Sequence, residues 1–69
     1  MTFVEANIRA LIIEASAIET RIRVFEAENK HRETEGQAPA YGAAAFEAEA
    51  NTLSCIAEQI RSFAPALQA

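Results

Sequence analysis

Apolar residues recur near the start of this chain at Val4, Ile8, Leu11, Ala15, Ile18, Ile22 and Phe25, at spacings of 4, 3, 4, 3, 4 and 3. That alternation is the a/d pattern of a helical heptad seam, whereas a strand would repeat every second residue. No glycine or proline occurs before Gly36, so nothing interrupts the helix. Thr2-Phe3-Val4-Glu5 supplies its start, with Thr2 as N-cap and Glu5 three residues on, the spacing of a capping box. Carried forward, the seam reaches Asn29 and Arg32, where apolar packing should fade. A first helix is expected over about residues 3–33, roughly 46 Å long at the α-helical rise.

All four breakers lie between Gly36 and Pro65. Gly36 can take the left-handed conformation that closes a helix, and Pro39 can occupy the first position of the next one. The turn is expected over about 34–39. A second helix is expected over about 40–63, ending where Ala64 precedes Pro65, followed by a short C-terminal tail. Its seam reads Phe46, Ala50, Leu53, Ala57, Ile60 and Ala64, with Ile56 and Phe63 flanking it. Gly42 and the run Ala43-Ala44-Ala45 leave its first turns with little side chain, which favours helix and permits close approach by a backbone or ligand. The fold class is all-α: one antiparallel two-helix hairpin occupying residues 1–69.

A chain of 69 residues is small for a self-sufficient core, which at this size supplies about 3–5 kcal/mol at most. Its 16 alanines thin the core further. Helix 1 nevertheless carries a second stripe at seven-residue spacing, Phe3, Ala10, Ala17 and Val24, and Ile12 and Ile13 add apolar surface on other sides. Two helices have one mutual interface, so the surplus points to self-association or a protein partner. The simplest assembly is a homodimeric four-helix bundle or a larger helical oligomer. Its seam would be built from Ile8, Leu11, Ile18, Ile22, Phe25, Phe46, Leu53 and Ile60.

Charge excludes several function classes. The net charge is -4, which forgoes the counterion release that dominates nucleic-acid affinity. Glu5–Arg9, Glu19–Arg23, Glu26–Lys30, Glu28–Arg32 and Glu58–Arg61 stand three or four residues apart with the acid first, so five of the six basic residues are expected to pair along their own helix. Lys30, His31 and Arg32 cluster where a helix C-terminus welcomes cations. Arg21 has no acid three or four residues away. It is the cation freest to bridge to the second helix, through Glu47 or Glu49, or to meet a ligand. Polar faces of mixed sign disfavour membrane-surface binding, and no uncharged apolar run is long enough to span a bilayer. With no basic, apolar leader at the N-terminus, a soluble cytoplasmic protein is expected.

Catalytic sets are scarce. Asp is absent, which removes a Ser-His-Asp triad, and there is no glycine-rich phosphate loop. Cys55 falls opposite the second seam with no base placed near it. Glu28-Asn29-Lys30-His31 has the Glu-x-x-His spacing of di-iron bundles, but both side chains lie off the seam, so Glu28 and His31 are weak metal candidates and no cofactor is expected. Tyr41, at the loop-to-helix junction, is either a contact residue or a lid over Phe25 or Asn29.

These features favour a non-enzymatic protein-interaction module, acting as a regulator, adaptor or inhibitor by occupying a partner's surface. Small acidic bacterial or phage proteins often work so. The contacts would involve Phe3, Val24, Arg21 and Tyr41. An alternative is an oligomeric binder of a small anionic ligand such as a nucleotide, with Arg21, Lys30, His31, Arg32 and Tyr41 meeting it between protomers. The third reading is a di-iron carboxylate bundle.

Overall fold

The computed structural model describes residues 2–68, with side chains for residues 2–66. Helix α1 spans Phe3–Thr34, α2 spans Ala43–Ser62, and a short α3 spans Ala64–Gln68. The described residues contain no strand. The chain is thus an all-helical hairpin, and the two seams face each other within one molecule.

Each end of α1 is built as its residues dictate. The Thr2 hydroxyl accepts the Glu5 N–H at 3.1 Å, satisfying one donor that the first turn leaves without a partner. At the other end Gly36 has φ 73°. Gln37 N–H donates to the Arg32 carbonyl at 2.8 Å and Gly36 N–H donates to the Glu33 carbonyl at 3.0 Å. This is the Schellman pair, and it needs a residue that tolerates positive φ at that point.

Every position of the α1 seam, from Val4 through Phe25 and on to Asn29 and Arg32, is buried or half-buried. Ile18 is the most buried, at 3% exposure. Beyond Phe25 the seam changes chemistry without stopping. Asn29 Nδ2 donates to the Tyr41 carbonyl at 2.8 Å, and Tyr41 N–H donates to Asn29 Oδ1 at 2.9 Å. One amide side chain thereby satisfies both backbone groups of Tyr41. The Tyr41 ring stacks on Phe25 with centroids 4.0 Å apart and planes at 14°. Phe46 meets Phe25 edge-on at 5.9 Å. Arg32 also donates to the Ala38 carbonyl, at 3.3 Å.

This clamp corrects the expected start of the second helix. With Tyr41 committed to Asn29, its backbone cannot join a helical ladder, so α2 begins at Ala43 behind an extended Gly42 cap rather than at Ala40. Pro39 therefore lies within the connection and does not open the helix. The expected tail is also corrected, because Ala64–Gln68 is helical. Pro65 has no N–H to give to the Arg61 carbonyl, which breaks the ladder. Phe63 N–H closes the end of α2 on the Ile60 carbonyl at 3.0 Å.

The α2 seam is rotated from the expected one. Phe46, Leu53 and Ile60 face α1, but the companion row is Glu49, Ile56 and Phe63, while Ala50 is exposed and Ala57 and Ala64 sit at the edge, half-buried or nearly so. Burying Ile56, at 4% exposure, and Phe63 removes far more apolar surface from water than burying alanines would. The register supports that choice. Phe25 meets Phe46 and Arg21 meets Glu49, and carried down the antiparallel pair this brings Ile56 level with Ala15, the small residue of the α1 seam.

The molecule measures 56 × 20 × 12 Å, with a radius of gyration of 16.4 Å. A compact chain of this length would have about 11 Å. Ile18 and Ile56 alone are buried, rather than half-buried, among the described residues. With so little core, the clamp is a large share of what fixes the hairpin. Asn29→Ala removes two hydrogen bonds to the loop and is expected to cost about 1–2 kcal/mol in urea unfolding followed by circular dichroism, with Asn29→Asp, which keeps only the acceptor, falling between. A midpoint equal to the parent's would mean that the clamp does not hold the loop.

Candidate interaction surface

Arg21 bridges the two helices. Its Nε and Nη2 donate to Glu49 Oε1 and Oε2 at 2.9 and 2.8 Å, a two-point match of guanidinium to carboxylate. Glu49 is 15% exposed in its side chain and Arg21 51%, so α2 draws the guanidinium over the edge of the seam. The Arg21 hydrogen bonds hold the Glu49 carboxyl below the ordinary carboxylate range. Partial burial opposes them, and the guanidinium charge adds to the lowering. The same hydrogen bonds and charge raise Arg21 above its already high value.

Of the expected pairs along the helices, Glu28–Arg32 is closed, at 3.4 Å. It lacks hydrogen-bond geometry, and the buried Arg32 Nε has no hydrogen-bond partner. Glu5–Arg9, Glu19–Arg23, Glu26–Lys30 and Glu58–Arg61 are not closed among the described residues, as suits exposed pairs whose attraction barely offsets side-chain entropy. His31 Nε2 instead meets Glu35 Oε1 at 3.3 Å.

The residues considered for an anionic ligand do not converge within one chain. Arg21 is held by Glu49, His31 by Glu35, and Tyr41 by Asn29 and Phe25. An open groove of about 600 Å³ beside the loop takes Lys30 from that set and adds Glu26 and Glu33, an acidic balance. Glu28 and His31 turn to different partners, and no three potential metal ligands cluster among the described residues. Cys55 is exposed. No helix among the described residues is long and apolar enough to cross a membrane.

What the hairpin leaves open is a face of α1. Phe3, Ala10, Ala17 and Val24 are all exposed, as are Ala6, Ile13, Thr20 and Ala27. Together they alternate at spacings of 3 and 4 along α1, a second seam about 150° around the axis from the first. Phe3 is 79% exposed, Ile13 70% and Val24 56%, and none of the eight carries a charge. The seven-residue stripe Phe3/Ala10/Ala17/Val24 is one row of this face; Ile13 belongs to the other row. The same 3-and-4 spacing that marks the first seam identifies it. Ile12, 52% exposed, lies at the border of the covered face.

No known protein family, characterised protein or solved structure matches this chain.

The Arg21–Glu49 pair carries a pH signature. The folded Glu49 pKa is depressed, so ionised Glu49 stabilises the fold above the unfolded carboxylate pKa of about 4.3, and that contribution disappears as pH falls through the lower folded value. The gap in melting temperature between the parent and Glu49→Gln is expected to be full and constant from neutral pH down to about pH 5, then to close on further acidification. A gap that persists in acid would assign the stabilisation to packing of the side chain rather than to its charge.

Proposed function

We propose that this chain is a non-enzymatic protein-interaction module that lays the outer face of α1 against another polypeptide, and so serves as a small regulator, adaptor or inhibitor. The observation that carries this reading is the uncharged face with Phe3, Ile13 and Val24 standing in water. An exposed apolar strip running the length of a helix marks an interaction surface in a protein this small. Helix-on-helix recognition reads such anchors at spacings of three and four. The hairpin adds rigidity, since α2 holds the opposite side of α1 and the partner need not order it. Of the residues considered for an anion, Arg21, His31 and Arg32 already face glutamates of their own chain. The exposed thiol of Cys55 suits a reducing compartment such as the cytoplasm.

A photo-reactive amino acid tests the face directly. Placed at Ser16, beside the strip, it is expected to form covalent adducts of polypeptide mass when illuminated in cell extract. Placed at Asn51, on the outer side of α2, it is expected to form few or none. Equal yields at the two positions, or silence at Ser16, would overturn the reading.

A further inference from the structure

The outer face of α1 is bordered by two rows of opposite character. With Phe3, Ala10, Ala17 and Val24 at the a positions and Ala6, Ile13, Thr20 and Ala27 at the d positions, the g row reads Arg9, Ser16, Arg23, Lys30 and the e row reads Asn7, Glu14, Arg21, Glu28. One border is basic or neutral. The other is acidic or neutral apart from Arg21, and Arg21 is the residue that Glu49 draws toward α2. Border rows of this kind set partner and orientation in helical pairs.

We infer that the occupant of this face is a second copy of the same chain, its α1 lying parallel to and in register with the first; this rests on the interaction role proposed above. In a parallel pair a g residue reaches the e residue five positions on in the other helix. Arg9 then meets Glu14 of the partner subunit and Arg23 meets Glu28 of the partner subunit, and two-fold symmetry repeats both. Lys30 meets Glu35 of the partner subunit just past the helix end. An antiparallel pair would set g against g and e against e, bringing Arg9, Arg23 and Lys30 together on one side and glutamates on the other. A parallel two-fold face is also self-complementary, as an isologous interface must be.

The seam itself suits close approach. It spans four heptads, about 36 Å from Phe3 to Ala27 at the helical rise, and alanine fills four of its eight positions. Its one polar side chain is already satisfied, because the Thr20 hydroxyl donates to the Ser16 carbonyl at 3.0 Å and leaves its methyl for the interface. The resulting dimer orders its helices α2, α1, α1, α2 in a flat array, rather than merging two hairpins through the seam that α2 already covers.

Single cysteines read orientation. In the 69-residue chain with Cys55→Ser, Ala10→Cys and Ala27→Cys each place a thiol at an a or d layer. Parallel, in-register helices bring each thiol to its own copy, so both variants are expected to form disulfide-linked dimers on mild oxidation. An antiparallel pair separates both. Sedimentation equilibrium of the same chain should give a dimer that Arg23→Glu weakens on the order of tenfold, with Arg23→Glu/Glu28→Arg restoring it. A monomer at every concentration, a dimer in which either cysteine fails to cross-link, or a charge reversal that the swap does not rescue would each overturn the parallel dimer. Photo-adducts at Ser16 to a different polypeptide, with the purified chain monomeric, would overturn the second copy as occupant and leave the interaction role standing; silence at Ser16 in both purified protein and extract would remove that role too.

Discussion

Two helices laid side by side can hide one stripe of each other and no more. This constraint governs the molecule. With a third layer absent among the described residues, the hairpin buries two side chains, Ile18 and Ile56, and remains long and thin. Hydrophobic burial gives it a direction of collapse but leaves little margin, as expected for so short a chain. The helices must therefore be aligned by contacts more specific than apolar burial.

Those contacts stand at the loop end and partway along the seam. Asn29 grips the Tyr41 backbone, Phe25 stacks on its ring, and Arg21 reaches Glu49 with both ends of its guanidinium. Each is directional, so each fixes register where apolar contact alone would tolerate sliding. They also consume groups that could otherwise have met a ligand. What remains available is the side of α1 that α2 cannot reach, uncharged along its middle and bordered by charge. The functional proposal and the parallel dimer both grow from that geometry.

Much of this was legible beforehand. The 3-and-4 spacing places α1 to within a residue of its end and marks its covered face from Val4 to Phe25, Thr2 and Gly36 mark its ends, and the isolation of Arg21 from acids on its own helix leaves it to bridge to α2 or to meet a ligand. The α2 seam was less legible. Alanines at 50, 57 and 64 and larger residues at 49, 56 and 63 offered two rows beside Phe46, Leu53 and Ile60. The choice depends on packing against α1, where Ile56 and Phe63 remove more apolar surface from water than alanines would. The start of α2 was hidden for a similar reason: Pro39, Ala40 and Tyr41 are compatible with a first helical turn until Asn29, twelve residues before Tyr41, claims that backbone.

Local pattern is enough to make this chain helical, to fold it back once near Gly36, and to give α1 more apolar surface than one neighbour can cover. Periodicity, caps and breakers are local properties, and they act wherever the rest of the chain lies. Packing across the hairpin selects which row of α2 turns inward, where α2 begins, and which carboxylate takes Arg21. Those outcomes depend on the distance between side chains far apart in the chain, which packing sets and no local pattern encodes.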